Sequence, residues 1–314
     1  MDILTQVFSA SVFASMIRLA TPYIFAAIGE TFSQRSGVLN LGVDGIMLLG
    51  AFAAYYVVFL TGNLLLGILA AIIAGGLLGL MMAFISVTLQ AEQGISGIGL
   101  YLFGLGFSEL LFQQLVGTPE SVNGFQRLTF PILSDIPYIG EVFFNHNLLV
   151  YIAFLMVPIA AFVLNRTTFG LNIRAVGQNP QAADAVGVRV GRIRYMTVTF
   201  GGIMAGLAGA SLSIALLKVF QQNLTSGMGF IAVALVYFGG WRPFGVLAGA
   251  LLFSFVNALQ LQVQVLENQF AIFQQIPSEF AVMAPYVITI IALALASNQR
   301  EQPTALTKPF DRSG

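Results

Sequence analysis

Between Asp44 and Glu92 the chain carries no charged residue. As one helix rising 1.5 Å per residue, that run would be about 70 Å long, roughly twice the ~30 Å hydrocarbon core of a bilayer. It must therefore hold two membrane crossings, with Thr61-Gly62-Asn63 as the turn between them. Uncharged runs at 142–165, 195–217, 219–241, 243–266 and 280–299 are each close to the length of one spanning helix. The run 93–114 is broken only by Glu109.

Composition agrees. Charged residues make up 8% of the 314 residues and hydrophobic ones 57%, whereas a soluble domain carries about 25% charged residues. A disordered chain is excluded more firmly still. The 13 basic and 13 acidic residues balance, so no basic surplus attracts nucleic acid. With no cysteine and one histidine, His146, thiol chemistry, disulfides and a multi-histidine metal site are excluded. Neither Lys218 nor Lys308 is followed by Ser or Thr, so there is no GxxxxGK[ST] phosphate loop. Any ATP used with this chain is bound by another one, and no cofactor, metal or catalytic residue is expected here.

The expected fold class is an all-α polytopic membrane protein, one transmembrane domain over 1–314. Nine spans are predicted, with eight to ten compatible: near 6–28, 41–60, 64–89, 97–116, 147–165, 195–217, 227–239, 244–265 and 280–298. The N-terminal stretch 3–29 is apolar except for Arg18 and reads as one long helix or two short ones; it lacks the basic start and small-residue site of a cleaved signal. Placing loop 166–194 in the cytoplasm puts Arg166, Arg174, Arg189, Arg192 and Arg194 inside. Arg35, Arg242, Arg300, Lys308 and Arg312 fall on the same side, and only Arg127 and Lys218 remain outside. That bias predicts a cytoplasmic C-terminus, and an N-terminus outside for nine spans or inside for ten. Gly75/Gly79, Gly202/Gly206 and Gly245/Gly249 fit GxxxG, read here as packing within the bundle rather than as a dimer signal.

Within the loop, Asn179 is suited to cap a helix start, Pro180 to the first helical position and Gly187 to a left-handed end. A short, isolated helix from Gln181 to Val186 follows. Gln181-Ala182-Ala183 with Gly187 resembles the Glu-Ala-Ala-x-x-x-Gly loop of ABC importer permeases. The surrounding Ala175 to Asn179, Val188 and Gly201-Gly202 to Gly209 are similar to the branch that serves simple sugars, branched-chain amino acids and nucleosides. Arg35 to Gly42 leading into Asp44 to Leu48, and Phe238 to Gly245 leading into Gly249-Ala250, resemble the nucleoside-type members most. The matches run from about residue 20 to 255. Gln181 stands where the older motif has Glu, and Asp44 where Glu is common.

The resemblance implies a permease subunit of the bacterial inner membrane. Asn179, Pro180, Gln181, Ala182, Ala183 and Gly187 would form the loop that docks on a separate ATP-binding cassette subunit. A second permease subunit, identical or related, would share the pathway, and an external binding protein would deliver the substrate. The loop arginines either pair with acidic groups on that partner or simply follow topology.

Charges and amides inside spans are costly, at least ~2.5 kcal/mol for a charge. Asn40 and Asp44 share a helix face, flanked by Gly37, Gly42 and Gly45; they belong to the pathway or form an interfacial cap. Glu109 and Gln113 share a face, with Gln114 following; Glu109 contacts substrate or pairs with Arg18. Asn257, Gln260 and Gln264 line an outer vestibule or a wet helix end. Trp241-Arg242 reads as an interfacial anchor. His146 reads as a solvated residue of the external loop 117–146, which holds Pro119, Pro131 and Pro137 and would meet the binding protein. Some of the 28 phenylalanines could stack on a base, and the sequence does not distinguish them. Two other classes compete: an ion-coupled secondary transporter with Asp44 and Glu109 as protonation sites, and an intramembrane enzyme, for which no catalytic set stands out.

Overall fold

A computed structural model describes residues 9–267 except 132 and 135, residues 283, 287, 290 and 291, and the tail 302–311. Seven helices in this set are long and apolar enough to cross a bilayer. In chain order the helices are α1 (Ala10–Arg35), α2 (Val43–Thr61), α3 (Leu64–Ala83), α4 (Gln93–Leu115), α5 (Ile139–Phe143), α6 (Leu148–Arg166), α7 (Thr168–Gln178), α8 (Pro180–Ala185), α9 (Val190–Ala210), α10 (Met228–Phe238) and α11 (Pro243–Glu267). Short π-helical stretches, Phe84–Thr88 and Ser211–Leu216, extend α3 and α9. The only strands among the described residues are Leu128–Thr129 and Asn145–His146, paired antiparallel beside α5. The all-α polytopic class is as expected, and the N-terminal region from Ala10 is one helix.

Local signals set the ends. Asn63 caps α3 by accepting from the Leu65 and Leu66 amides, and Gly62 closes α2 at φ +67°. Glu92 caps α4 by accepting from Gly94 and Ile95, and those two hydrogen bonds hold its carboxyl below the usual carboxylate range. Asn147 caps α6.

The count of nine spans is not reproduced as nine long helices. The predicted span 227–239 is α10, eleven residues, about 16 Å and half a crossing. The other half is irregular chain. After α9, residues 217–227 turn back through left-handed φ at Lys218, Asn223, Ser226 and Gly227. Phe220 is fully buried against Phe52, Tyr55 and Phe112, and five residues later Thr225 reaches Asp44 at the start of α2. Such a backbone survives inside an apolar bundle only when protein groups satisfy it. The ninth predicted span, 280–298, lies outside the described residues save for four single positions.

α9 is the central pillar. Its small residues bring four backbones together. A Cβ on Gly202 would sit 2.3 Å from the Gly75 carbonyl oxygen of α3, and one on Gly209 would sit 1.9 Å from the Met47 carbonyl oxygen of α2. A Cβ on Gly29 of α1 would sit 2.6 Å from Met204 Cβ and 3.0 Å from the Gly201 carbonyl oxygen. The Gly75/Gly79 and Gly202/Gly206 motifs thus pack against each other within one chain, as expected. Gly245 packs on Gly239, and Gly249 on Phe238. Lipid tails are as apolar as side chains, so close backbone approach is what holds such helices together. Gly75→Val should therefore lower unfolding stability in detergent by about 2 kcal/mol or more, while Gly76→Ala, whose added carbon meets only the movable Ile203 side chain, should be near neutral; thermal unfolding of the two purified variants checks this.

Candidate functional site

The chain presents two unlike ends. One, the basic face, gathers the C-terminus of α1, helices α7 and α8, the start of α9 and the tail 302–311. The far face carries residues 117–147 and the α2–α3 turn.

On the basic face the loop between α6 and α9 folds as two helices, not one. α8 forms as the sequence specifies: the Asn179 side chain accepts from the Ala182 amide at 3.0 Å, Pro180 opens the helix, and Gly187 ends it at φ +90°. Ala183 is buried and anchors it, whereas Gln181, Ala182, Val186 and Gly187 are exposed. Val186 is 80% exposed, an apolar side chain aimed outward at the end of a helix whose outer side no described residue covers. α7 is the element the sequence reading missed. Its signals were Thr167, which caps it, and Ile173 and Val176, which form its buried stripe.

The tail locks this face. The Ala305 amide donates to Gly177 O, the Thr307 amide to Gly37 O, and Thr304 Oγ1 to Gln178 Oε1 at 2.6 Å. Arg194, read above as a loop arginine, is 1% exposed. It donates from Nε to Ser36 O and from Nη1 to Lys308 O, so it ties α9 to the tail and is withdrawn from any partner. Arg166, Arg189 and Arg192 remain exposed.

Asn40 and Asp44 are buried, at 1% and 0% exposure. Asn40 Oδ1 accepts from the Gly42 amide, and its own amide donates to Glu30 Oε1 at 3.0 Å. Asp44, in the first turn of α2, uses both oxygens on the re-entrant segment: the Gly229 amide donates to Oδ1 at 2.7 Å, and Thr225 Oγ1 donates to Oδ2 at 2.9 Å. The carboxyl thus caps the N-terminus of α10 from another helix, where the dipole favours it. Gly229 must be glycine, because a Cβ there would sit 2.3 Å from the Asp44 amide nitrogen. Neighbouring Gly45 packs on Leu100 and Tyr101, about 12 Å along α4 from Gln93. The junction therefore lies well inside the bundle, not at its surface.

Sequence reasoning missed Glu30, which is 1% exposed in α1. Its Oε1 accepts from Gln34 Nε2 and the Asn40 amide, and its Oε2 is buried with no partner. Gln34 Oε1 in turn accepts from Trp241 Nε1 at 2.8 Å. Trp241 is therefore not an interfacial anchor: it is 4% exposed, and its carbonyl accepts from Arg35 Nε at 2.8 Å. The signal for Glu30 was a lone acid within an otherwise apolar run.

Glu109 does not pair with Arg18. Arg18 donates to Ser15 Oγ and has Arg127 and Glu141 as its charged neighbours. Glu109 instead accepts from Gln113 Nε2 at 2.9 Å, so these two share a face as predicted. α4 packs through Gly97, Leu100, Gly104, Ser108 and Phe112. Its other face is open: Gly99 and Gly106 have nothing within 4 Å of an added Cβ. Phe103 and Phe107 are exposed on α4 with their rings stacked at 5.3 Å. Asn257 and Gln260 are half-buried in the part of α11 remote from the basic face, and the burial of Gln264 is likewise partial.

His146 is buried, not solvated: it is 1% exposed, with Nε2 on Val142 O at 2.7 Å and Nδ1 without a partner. Burial pushes its pKa down, and nearby Arg18 and Arg127 add to that.

Broken helices meeting inside an apolar bundle, with a capped helix presented beside one face, define a membrane transport protein. The family described as the branched-chain amino acid transport system permease component matches residues 12–293, and the chain belongs to it. It is 35% identical over 322 aligned positions to the guanosine ABC transporter permease protein NupQ of Bacillus subtilis, covering 99% of this chain and 98% of that one. It is 36% identical over 303 positions to the nucleoside ABC transporter permease protein NupC of Lactococcus lactis, covering 93% and 94%. It is 43% identical over 263 positions to a candidate glucose ABC transporter permease protein, TsgC13, of Haloferax volcanii, covering 82% and 79%. No solved structure matches the chain. It is thus the permease subunit of an ABC transporter, a transport component and not an enzyme.

Two outcomes are expected. Asp44→Ala leaves the Gly229 amide and the Thr225 hydroxyl buried without an acceptor, so it should lower unfolding stability by about 2–4 kcal/mol; chemical unfolding in detergent measures it. A histidine held neutral in the fold binds a proton more readily when unfolded. His146 should therefore leave stability unchanged above its ordinary pKa of about 6.5 and reduce it progressively as pH falls below that value. Comparing melting of the parent and His146→Gln between pH 8 and pH 5 (about one unit per step) should show the fall only in the parent.

Proposed function

We propose that this chain is one permease of an ATP-driven importer that carries a nucleoside. The observation that carries the reading is α8: a capped, exposed helix with an exposed apolar residue, Val186, at its end, joined by four residues to the central pillar α9. Two separate ATP-binding subunits would seat α8 in a groove and move it, and α9 with it, when they close on ATP. The basic face would then be cytoplasmic, with the tail 302–311 on that side, as positive-inside bias requires. The far-face loop 117–146 would meet an external binding protein. Full-length similarity to guanosine and nucleoside permeases supports the substrate class, and the candidate glucose permease makes a sugar the competing one.

The open face of α4 supports a second permease subunit. A carboxyl turned toward lipid costs at least ~2.5 kcal/mol, so Glu109 meets protein or water. Glycines at 99 and 106 let a partner helix approach. Between two such faces, Phe103 and Phe107 supply stacking surface for a base, and Glu109 and Gln113 supply hydrogen-bonding groups for base or ribose. Asn257 and Gln260 would serve the outer end of that pathway. Asn40 and Asp44 would act through structure, holding the start of α10.

Ala182→Glu tests the coupling. It places an acid at the third helical position, where it favours the capped helix, so the fold is preserved and only docking suffers; Gly187→Glu adds strain at φ +90° and is the weaker test. Cells with the Ala182→Glu chain should lose ATP-dependent uptake of labelled nucleoside by roughly tenfold or more, as for a charge buried in an interface, with normal membrane levels. Phe103→Ala and Glu109→Gln should raise the KM instead. Full uptake by Ala182→Glu, or uptake that ignores the ATPase and collapses with a protonophore, would replace the reading with ion-coupled transport.

A further inference from the structure

A cavity of about 700 Å³ opens on the basic face between the ends of α1, α6, α7 and α11. Three guanidinium groups line it, Arg35, Arg174 and Arg242, and no acidic residue does among the described residues. Positive-inside bias explains why arginines lie on this face. It does not explain why three converge on one recess, where each repels the others.

Their geometry prepares them for an anion. Arg35 spends its Nε on Trp241 O, and Arg174 directs its Nε at Gly170 O, so backbone carbonyls hold both side chains by the stem nitrogen. The terminal nitrogens, the pair that grips a phosphate bidentately, take no part in those bonds. The recess also holds the first turn of α11, where the Phe244 and Gly245 amides precede the first intrahelical bond, made by Val246 to Arg242 O. Asn165, at the end of α6, adds a side-chain amide.

The walls choose the source of the phosphate. α6 and α11 both run from this recess into the apolar bundle. Phe244, on the rim, is 59% exposed, and Phe162, beside the lining residue Ala161, is 62% exposed. A cationic floor under an apolar rim at the ends of spanning helices matches a phospholipid, headgroup below and acyl chains along the helices. A soluble partner would meet α8, which projects, before it reached a recess flanked by exposed phenylalanines.

We propose that Arg35, Arg174 and Arg242 form a binding site for the phosphate headgroup of an anionic phospholipid. The site is independent of which solute the permease carries.

The test is native mass spectrometry of the purified full-length chain in mixed micelles of phosphatidylglycerol and phosphatidylcholine. One phosphatidylglycerol should be retained in preference to phosphatidylcholine, and Arg174→Gln/Arg242→Gln should cut that preference by about fivefold per arginine with unchanged melting in phosphatidylcholine alone. Arg189→Gln/Arg192→Gln, the same charge change outside the cavity, should keep it. Equal loss in the two double variants would reduce the effect to net charge and overturn the site. So would retention unaffected by Arg174→Gln/Arg242→Gln. Binding of inorganic phosphate without any phosphatidylglycerol preference would overturn the lipid assignment, as would loss of the retained lipid when the ATP-binding subunits are added.

Discussion

Everything in this bundle leans on the contact between α9 and its neighbours through bare backbone. In water, burying leucines would drive helices together; in lipid it does not, because the lipid tails solvate them as well. What remains is close packing, and the glycines at 29, 75, 79, 201, 202, 206 and 209 supply it. They bring α1, α2 and α3 against α9 at distances no side chain permits. A helix held on three sides in this way moves as a unit, and it is the helix that follows α8 after four residues.

The same solvent makes irregular backbone expensive, yet two stretches of it lie inside. Residues 36–42 are carried by Glu30, Asn40 and Arg194, and residues 217–227 by Asp44. The buried groups Glu30, Asn40, Asp44 and Arg194 each serve one of these breaks. The breaks are what give α10 a start in the middle of the bundle, and with it a crossing that is half helix and half irregular chain. Such a crossing can change shape with less loss of packing than a continuous helix, which suits a protein that must open alternately to two sides.

The basic face is one assembly rather than a set of loops. α7, the tail 302–311, the loop after α1 and the first turn of α9 exchange hydrogen bonds and share the buried Arg194. On the proposed reading, that rigidity would let a small exposed helix, α8, pass a push to the core. The open face of α4 is the contrast: Gly99 and Gly106 meet no described neighbour there, and the stacked rings of Phe103 and Phe107 lie exposed.

The membrane class, the crossing regions, the capped helix α8 and the charge bias were all legible in the sequence, because they depend on local quantities: length of uncharged runs, cap residues and the side on which arginines fall. The pairing of Glu109 with Gln113 was legible for the same reason, being set by helix period. The burial of Asp44, His146, Trp241 and Arg194, the pairing that Arg18 declines, and the division of the crossing 217–238 into loop and half-helix were not. Three of these burials are decided by a partner far along the chain: Gly229 for Asp44, Gln34 for Trp241, Lys308 for Arg194. Hydropathy weighs a residue against solvent, and at these places the residue's surroundings are other residues, which only the tertiary structure brings together.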